Sequence, residues 1–335
     1  MSAALPRLLP FWGLLAAVHQ SALAPAGPQA ARIGDLWWLM FWVCTAVYAL
    51  VVLALLAAVT RRREAAGIAP VVHPPAAGER RLGRWVGGAT AVSAVILLGL
   101  LVASVSTGSA LESLARPNSV SIDLVGYQWW WQVQYSDPMP SRRVVTANEI
   151  HIPVGQPVRL RVTSRDVIHS FWVPALHGKK DLIPGRTNDL WLRADRPGVF
   201  RGQCAEFCGW QHAHMALLVI AETPQQFAAW LDAQRQTAKP PADPLAIKGQ
   251  QVFDTGPCAL CHTIAGTQAV GSAGPDLTHL ASRRTLAAGT LTDHRGSLAG
   301  WILDPQSLKP GNRMPAISLG ADDLQALLAY LETLR

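Results

Sequence analysis

Two stretches without a formal charge, residues 36–59 and 85–105, constrain this chain more than anything else in it. They run for twenty-four and twenty-one residues, and about 20 apolar residues suffice to cross a hydrocarbon core of roughly 30 Å. Core helices of soluble proteins seldom reach that length without polar punctuation, so both stretches are predicted to be transmembrane helices. Between them stand Arg61, Arg62, Arg63, Arg80, Arg81 and Arg84, and a short arginine-rich loop stays on the cytoplasmic side, which exports both flanks. Trp37, Trp38, Trp42 and Trp85 fall where aromatic belts meet the membrane interface. The loop 60–84 holds six arginines against two glutamates, +4 of the chain's net +7. The basic balance is therefore local, and no nucleic-acid partner is expected. Upstream, Arg7, the apolar run 8–18 and Ala22-Leu23-Ala24 have the form of a signal peptide spanning residues 1–24. Pro25, directly after the cleavage site, leaves a retained N-terminal segment as the alternative. Cys44, alone in the first span, reads as a small apolar packing residue.

The chain of 335 residues has room for two to three domains, and only 15% of it is charged, too little for a disordered or highly solvated protein. Past the second span, short alternating apolar runs occupy residues 120–125, 149–152, 158–162, 189–192 and 217–220. Pro153-Val-Gly155, Pro184-Gly185 and Pro197-Gly198 punctuate them, which predicts an antiparallel sandwich of about 100 residues. At its end the string reads C-A-E-F-C-G-W-Q-H-A-H-M, with His169 thirty-five positions before the first cysteine. Cys204, Cys208, His212 and Met215 follow one another at intervals of four, four and three. Thiolates, imidazoles and a thioether are a soft set that selects copper over magnesium, calcium or manganese. A blue-copper site needs one cysteine only, so the second calls for a second metal or a disulfide. Two coppers bridged by two thiolates account for every donor, whereas a disulfide leaves Met215 and His169 without a role.

On these residues the chain resembles subunit II of the haem-copper cytochrome c oxidases. The resemblance implies a dinuclear copper centre, CuA, held by His169, Cys204, the Glu206 backbone carbonyl, Cys208, His212 and Met215. It extends from the first span to about Ile220 and takes in the two-helix hairpin and the aromatic stretch G-Y-Q-W-W-W at 126–131. It implies an all-β, cupredoxin-like sandwich over residues 112–222 behind a transmembrane hairpin over 25–111. In that family the glutamate also offers its carboxylate to a magnesium ion shared with subunit I, which implicates Glu206. Trp129 aligns with the family's electron-inlet tryptophan, core packing within the Trp129, Trp130 and Trp131 cluster being the other reading. His214 falls outside the matched pattern and reads as a non-ligand, and His151 and His177 read as structural or solvated.

Thr223-Pro224 opens a capped helix with Phe227, Trp230 and Leu231 on its apolar face, and a stiff Lys239-Pro-Pro-Ala-Asp-Pro244 stretch follows, so residues 223–243 form a helix and linker. Beyond it stands C-A-L-C-H. Cys258 and Cys261 can add to the two vinyl groups of one haem, and His262 then reaches the iron. A zinc site would need two further ligands, and no second cysteine pair lies downstream. The sixth ligand is expected to be Met314, the tail's one methionine, in an N-R-M-P loop before a closing helix at 321–334, with His279 and His294 as competitors. The tail, residues 244–335, resembles an all-α class I cytochrome c, whose G-P-x-L motif Gly274-Pro275-Asp276-Leu277 matches.

Together these features imply an electron-transfer subunit of a respiratory cytochrome c oxidase in the bacterial inner membrane, with both cofactor domains on the periplasmic side. The expected partners are subunit I, subunit III and an external cytochrome c, and oxygen reduction with proton pumping takes place on the large subunit. A nitric oxide reductase with a CuA-bearing small subunit is the alternative, and a free-standing copper shuttle would need no two-helix hairpin. No nucleophile triad, phosphate loop or acid-base catalytic residue is evident.

Overall fold

The computed structural model describes residues 18–64, 76–112 and 120–335. The body of the expected leader, 1–17, and the centre of the arginine loop lie outside the described residues. A two-residue strand, β1 (Val18–His19), precedes two helices of 37 residues each, α1 (Pro28–Glu64) and α2 (Ala76–Glu112). At about 1.5 Å rise per residue each is ~55 Å long, more than a hydrocarbon core requires. Both outrun the expected spans, so residues 60–64 and 76–84 are helix and not loop. Their alanines and arginines are good helix formers. Leu53, Tyr48, Val95 and Leu97 stand exposed along these helices, the face a lipid phase would cover. Cys44 is exposed on the same helix. The helices form one compact unit, Ala31–Leu114, and the rest of the chain forms a second.

The second unit begins with a two-sheet sandwich. One sheet runs β4 (Val144–Ala147), β3 (Trp130–Tyr135), β2 (Ser121–Tyr127), β6 (Val158–Ser164), β9 (Asn188–Leu192). The other runs β5 (Glu149–Pro153), β11 (Ala216–Glu222), β10 (Gly198–Cys204), β7 (His169–Trp172), β8 (Lys180–Leu182), with β1 on β10. Alternating burial along β2 and β3 puts Ile122, Leu124, Trp131 and Val133 inside, the period-2 signature of a strand with one core face. The sheets are mixed, which corrects the antiparallel expectation: β2 pairs β6 and β5 pairs β11 in parallel. Alternation fixes which face of a strand is buried but not which way it runs, so strand direction was not readable from pattern.

A capping box at Thr223 and Gln226 starts α3 (Pro224–Gln234). The helix is fastened to the sandwich by Trp230, whose ring stacks on His151 at 4.0 Å, and by buried Phe227. The tail is helical apart from one two-residue strand pair, β12 (Thr285–Leu286) and β13 (Leu291–Thr292). Its helices are α4 (Pro244–Thr255), the single turn α5 (Cys258–Cys261), α6 (Arg295–Leu303), α7 (Pro305–Leu308) and α8 (Ala321–Leu331). α4 and α8 cross at Gly249, where an added Cβ would lie 1.9 Å from the Ala326 carbonyl oxygen. Only glycine lets these two backbones meet.

Candidate functional site

β10 and β11 are antiparallel neighbours, with Gln203 opposite Ala216. The chain between them, 204–215, is therefore a loop with both feet on one rung of the ladder, and it carries Cys204, Glu206, Cys208, His212 and Met215. His169 arrives from the start of β7, the strand beside β10. These donors converge. The Cys204 and Cys208 sulfurs are 3.7 Å apart and both thiols are free. His169 Nδ1 lies 3.8 Å from Cys204 Sγ, and His212 Nδ1 3.5 Å from Cys208 Sγ. The Glu206 carbonyl oxygen is 3.2 Å from Cys204 Sγ, and Met215 Sδ is 3.9 Å from Cys208 Sγ. His169, Cys204, Cys208 and Met215 are buried. A sulfur gap that excludes a disulfide and a soft, dry, convergent donor set fit two thiolate-bridged coppers.

The surroundings orient these donors. Asp166, unremarked in the sequence, accepts from His169 Nε2 at 2.8 Å and thereby turns Nδ1 to the sulfurs. Burial pushes the Asp166 carboxyl up, but the His169 ring and the backbone N–H groups of Gln128 and Val167 outweigh it and hold it below the usual carboxylate range. Contact with Cys208, opposed by burial and aided by His169, pulls the Cys204 thiol down and pushes that of Cys208 up, so the pair gives up its first proton readily and holds the second. Trp129 Nε1 and Gln128 Nε2 both donate to the Cys208 carbonyl, at 3.0 and 2.8 Å. Glu206 turns its carbonyl inward while its carboxylate reaches outward, 3.9 Å from Lys179 Nζ. His214 faces Gln211 Oε1 at 2.7 Å and is not turned into the donor set.

In the tail, α5 carries Cys258 and Cys261 as free, half-buried thiols, and His262 caps the turn. His262 Nδ1 donates to the Pro275 carbonyl at 2.7 Å, leaving Nε2 for a metal. Burial holds its pKa below the ordinary imidazole value, the neutral form that ligation requires. Met314 packs partly buried against the cluster of Phe253, Leu298 and Leu327. Of its competitors, His279 is bonded through Nε2 to the Gln236 carbonyl, and His294 caps α6 through Ser297. Paired vinyl-reactive thiols next to an imidazole with one free nitrogen fit a covalent haem.

Residues 138–222 match the family model described as cytochrome c oxidase subunit II, periplasmic domain, and residues 246–335 match that of cytochrome c. The chain is 37% identical to the cytochrome c oxidase subunit 2 of Alkalihalophilus pseudofirmus, over 96% of this chain and 93% of the relative. The chain belongs to the cytochrome c oxidase subunit 2 family. It is also similar to cytochrome c oxidase subunit 2 of Bacillus sp. strain PS3, at 31% identity over 73% of each chain. The crystal structure of the periplasmic domain of subunit II of cytochrome oxidase from Bradyrhizobium japonicum is 32% identical, covering 36% of this chain and 96% of that one with a TM-score of 0.34. The chain is thus a respiratory electron-transfer subunit, membrane-anchored with a periplasmic domain, whose two domains imply CuA and haem c. The nitric oxide reductase alternative is not favoured by these relatives.

Proposed function

We propose that His169, Cys204, the Glu206 carbonyl, Cys208, His212 and Met215 hold the copper pair, and that Cys258 and Cys261 bind haem c with His262 and Met314 as its axial ligands. Bridged copper and low-spin haem each supply one-electron storage with little rearrangement. Within this reading the order is external cytochrome c, the tail domain, the copper domain, then subunit I, with subunit III completing the complex in the bacterial inner membrane. Residues 25–111 are the anchor, 112–222 the copper domain, 223–243 the connector and 244–335 the haem domain, and the pairing of β1 (Val18–His19) with β10 favours a retained N-terminal segment over a leader cut after Ala24.

The observation that carries the reading is the convergence of His169, the Glu206 carbonyl, His212 and Met215 on a pair of sulfurs 3.7 Å apart. Trp129 is the electron inlet to this centre, supported by its indole bond to the carbonyl of Cys208. The outward carboxylate of Glu206 is the chain's contribution to a magnesium site shared with subunit I. Asp166 holds the tautomer of His169, and Pro275 that of His262. The test is Cys204→Ser in the purified complex, read as copper content and mixed-valence spectrum. Loss of the delocalised signal with haem c retained is expected. Two coppers with an unaltered spectrum would overturn the assignment.

A further inference from the structure

The haem domain sits on the copper domain through contacts made by one loop, 309–314, and by one neighbouring segment, 283–290. Lys309 is 2% exposed, and among the described residues it pairs with no carboxylate. Its Nζ donates to three carbonyls: Trp129 and His214 of the copper domain at 2.8 Å each, and Ala287 of the tail at 3.0 Å. The next residues continue the contact. Gln211 Nε2 donates to the Pro310 carbonyl at 2.8 Å. Gly311, at φ +81°, brings the loop against the indoles of Trp129 and Trp210, its Cβ direction pointing to atoms 3.7 and 3.9 Å away. Arg313, the neighbour of Met314, approaches Asp166 at 3.9 Å. At the far end Glu149, 3% exposed, accepts from the backbone N–H of Arg284 at 2.6 Å and of Thr285 at 3.2 Å. Ala216 N–H donates to the Ala288 carbonyl at 2.9 Å between the two ends.

A buried ammonium is expensive to desolvate unless its donors are all taken. Here all three are, and by main-chain oxygens, which cannot move without moving the strand and loops that carry them. Burial pulls the Lys309 pKa down to about 7, and it is the hydrogen bonds of the amine rather than a fixed charge that matter. Carbonyls from both domains around one donor fix distance and orientation together, in a way that apolar contact alone does not. Trp129 is left 8% exposed under this cover, so a donor arriving from outside meets the haem domain and not the indole.

We propose that Lys309 is a positioning residue for electron transfer inside the chain: it locks the loop bearing Met314 onto Trp129 and His214, so that the haem domain works from one docked pose and not from repeated collision. The inference rests on the copper and haem assignments above. The step itself is balanced as one electron leaving the reduced haem and entering the oxidised copper pair, with external cytochrome c as the reductant, no bond made or broken and no proton taken up.

The test uses the intact oxidase complex carrying Lys309→Met, which keeps the length of the side chain and removes its donors, and separately Glu149→Gln at the opposite end of the interface. Flash reduction of the haem followed by copper reduction gives the internal rate, and amide hydrogen exchange reports cover over residues 144–149 and 284–290. For Lys309→Met the expected result is a rate at least tenfold lower that has become dependent on solvent viscosity, with faster exchange in both segments and unchanged haem and copper spectra. Glu149→Gln is expected to shift the same readouts about threefold. Should Lys309→Met fail to assemble, Glu149→Gln alone decides by the same readouts. Wild-type exchange protection in the variants, or a wild-type, viscosity-independent rate despite lost protection, would overturn the proposal. Absence of the CuA or haem c spectrum from the unaltered complex would instead overturn the assignments on which it rests.

Discussion

Replacing Asp166 with asparagine separates what this carboxylate does for copper from what it does for the fold. Asp166 Oδ1 accepts from His169 Nε2 and from Val167 N, each at 2.8 Å, and Oδ2 accepts from Gln128 N at 2.7 Å. Asparagine keeps the shape and one carbonyl oxygen but no charge. A hydrogen bond to a charged partner contributes about 1.5–3 kcal/mol and a neutral one about 0.5–1.5, so the His169 bond weakens by about 1.4 kcal/mol, roughly tenfold in copper affinity. Loss of an outer partner of a metal-bound histidine has that size, about 10–100-fold. The amide nitrogen, placed where Oδ2 was, faces the Gln128 N–H as donor against donor, and that loss is present with or without metal. It is expected to lower the thermal midpoint of the copper domain. Competition against a copper chelator, followed through the charge-transfer bands of the purified complex, measures the first effect, and a thermal scan after copper removal measures the second. Copper affinity within twofold of the native protein would refute the claim that Asp166 sets the ligating nitrogen of His169.

Gly249→Ala forces α4 and α8 apart, because the new methyl would lie 1.9 Å from the Ala326 oxygen; a destabilisation of about 1–3 kcal/mol is expected, and an unchanged melting midpoint of the haem domain would contradict that crossing. Met314→His is expected to lower the haem potential markedly, as bis-histidine ligation does relative to His/Met, with the copper spectrum unaffected; redox titration checks it, and an unmoved potential would redirect attention to His279 and His294. Replacing both Cys258 and Cys261 with alanine should leave no haem on the denatured polypeptide, read by covalent haem staining after electrophoresis, and persistent stain would exclude the motif.

The donor loop was legible in the sequence because Cys204, Cys208, His212 and Met215 lie within 204–215 at intervals of four, four and three, so spacing displays these four side chains. His169 stands out as a further soft donor thirty-five positions upstream, but spacing does not say that its strand lies beside β10, and Glu206, which offers only a backbone carbonyl, needed the family resemblance. Asp166 could have been found as an acid three residues before a candidate ligand, a signal too common to stand alone. The strands β3, β4, β7, β8 and β10 lie outside the apolar runs for different reasons: β3 is part of the aromatic cluster, β4, β7 and β8 are short, and β10 alternates around arginine and glutamine. Nothing in local pattern could reveal Lys309, whose partners Trp129 and His214 stand 180 and 95 positions away. A lysine in a Pro- and Gly-rich loop reads as solvated until the other domain closes over it.

The pairing of Gln203 with Ala216 has a consequence for how this protein can vary. Because the ligand loop leaves and rejoins the sheet at one rung, its contour length is set by the ladder and its donors are counted from both feet at once. Inserting or deleting a single residue would carry some donors out of register whichever foot is held fixed, and no compensation within the loop could restore both counts. Exchange of side chains is a different matter at a position such as Phe207, which is 75% exposed. Drift in this segment is therefore expected to proceed by substitution at constant length, and indels are expected to collect elsewhere, in the surface turns and in the connector ahead of the haem domain.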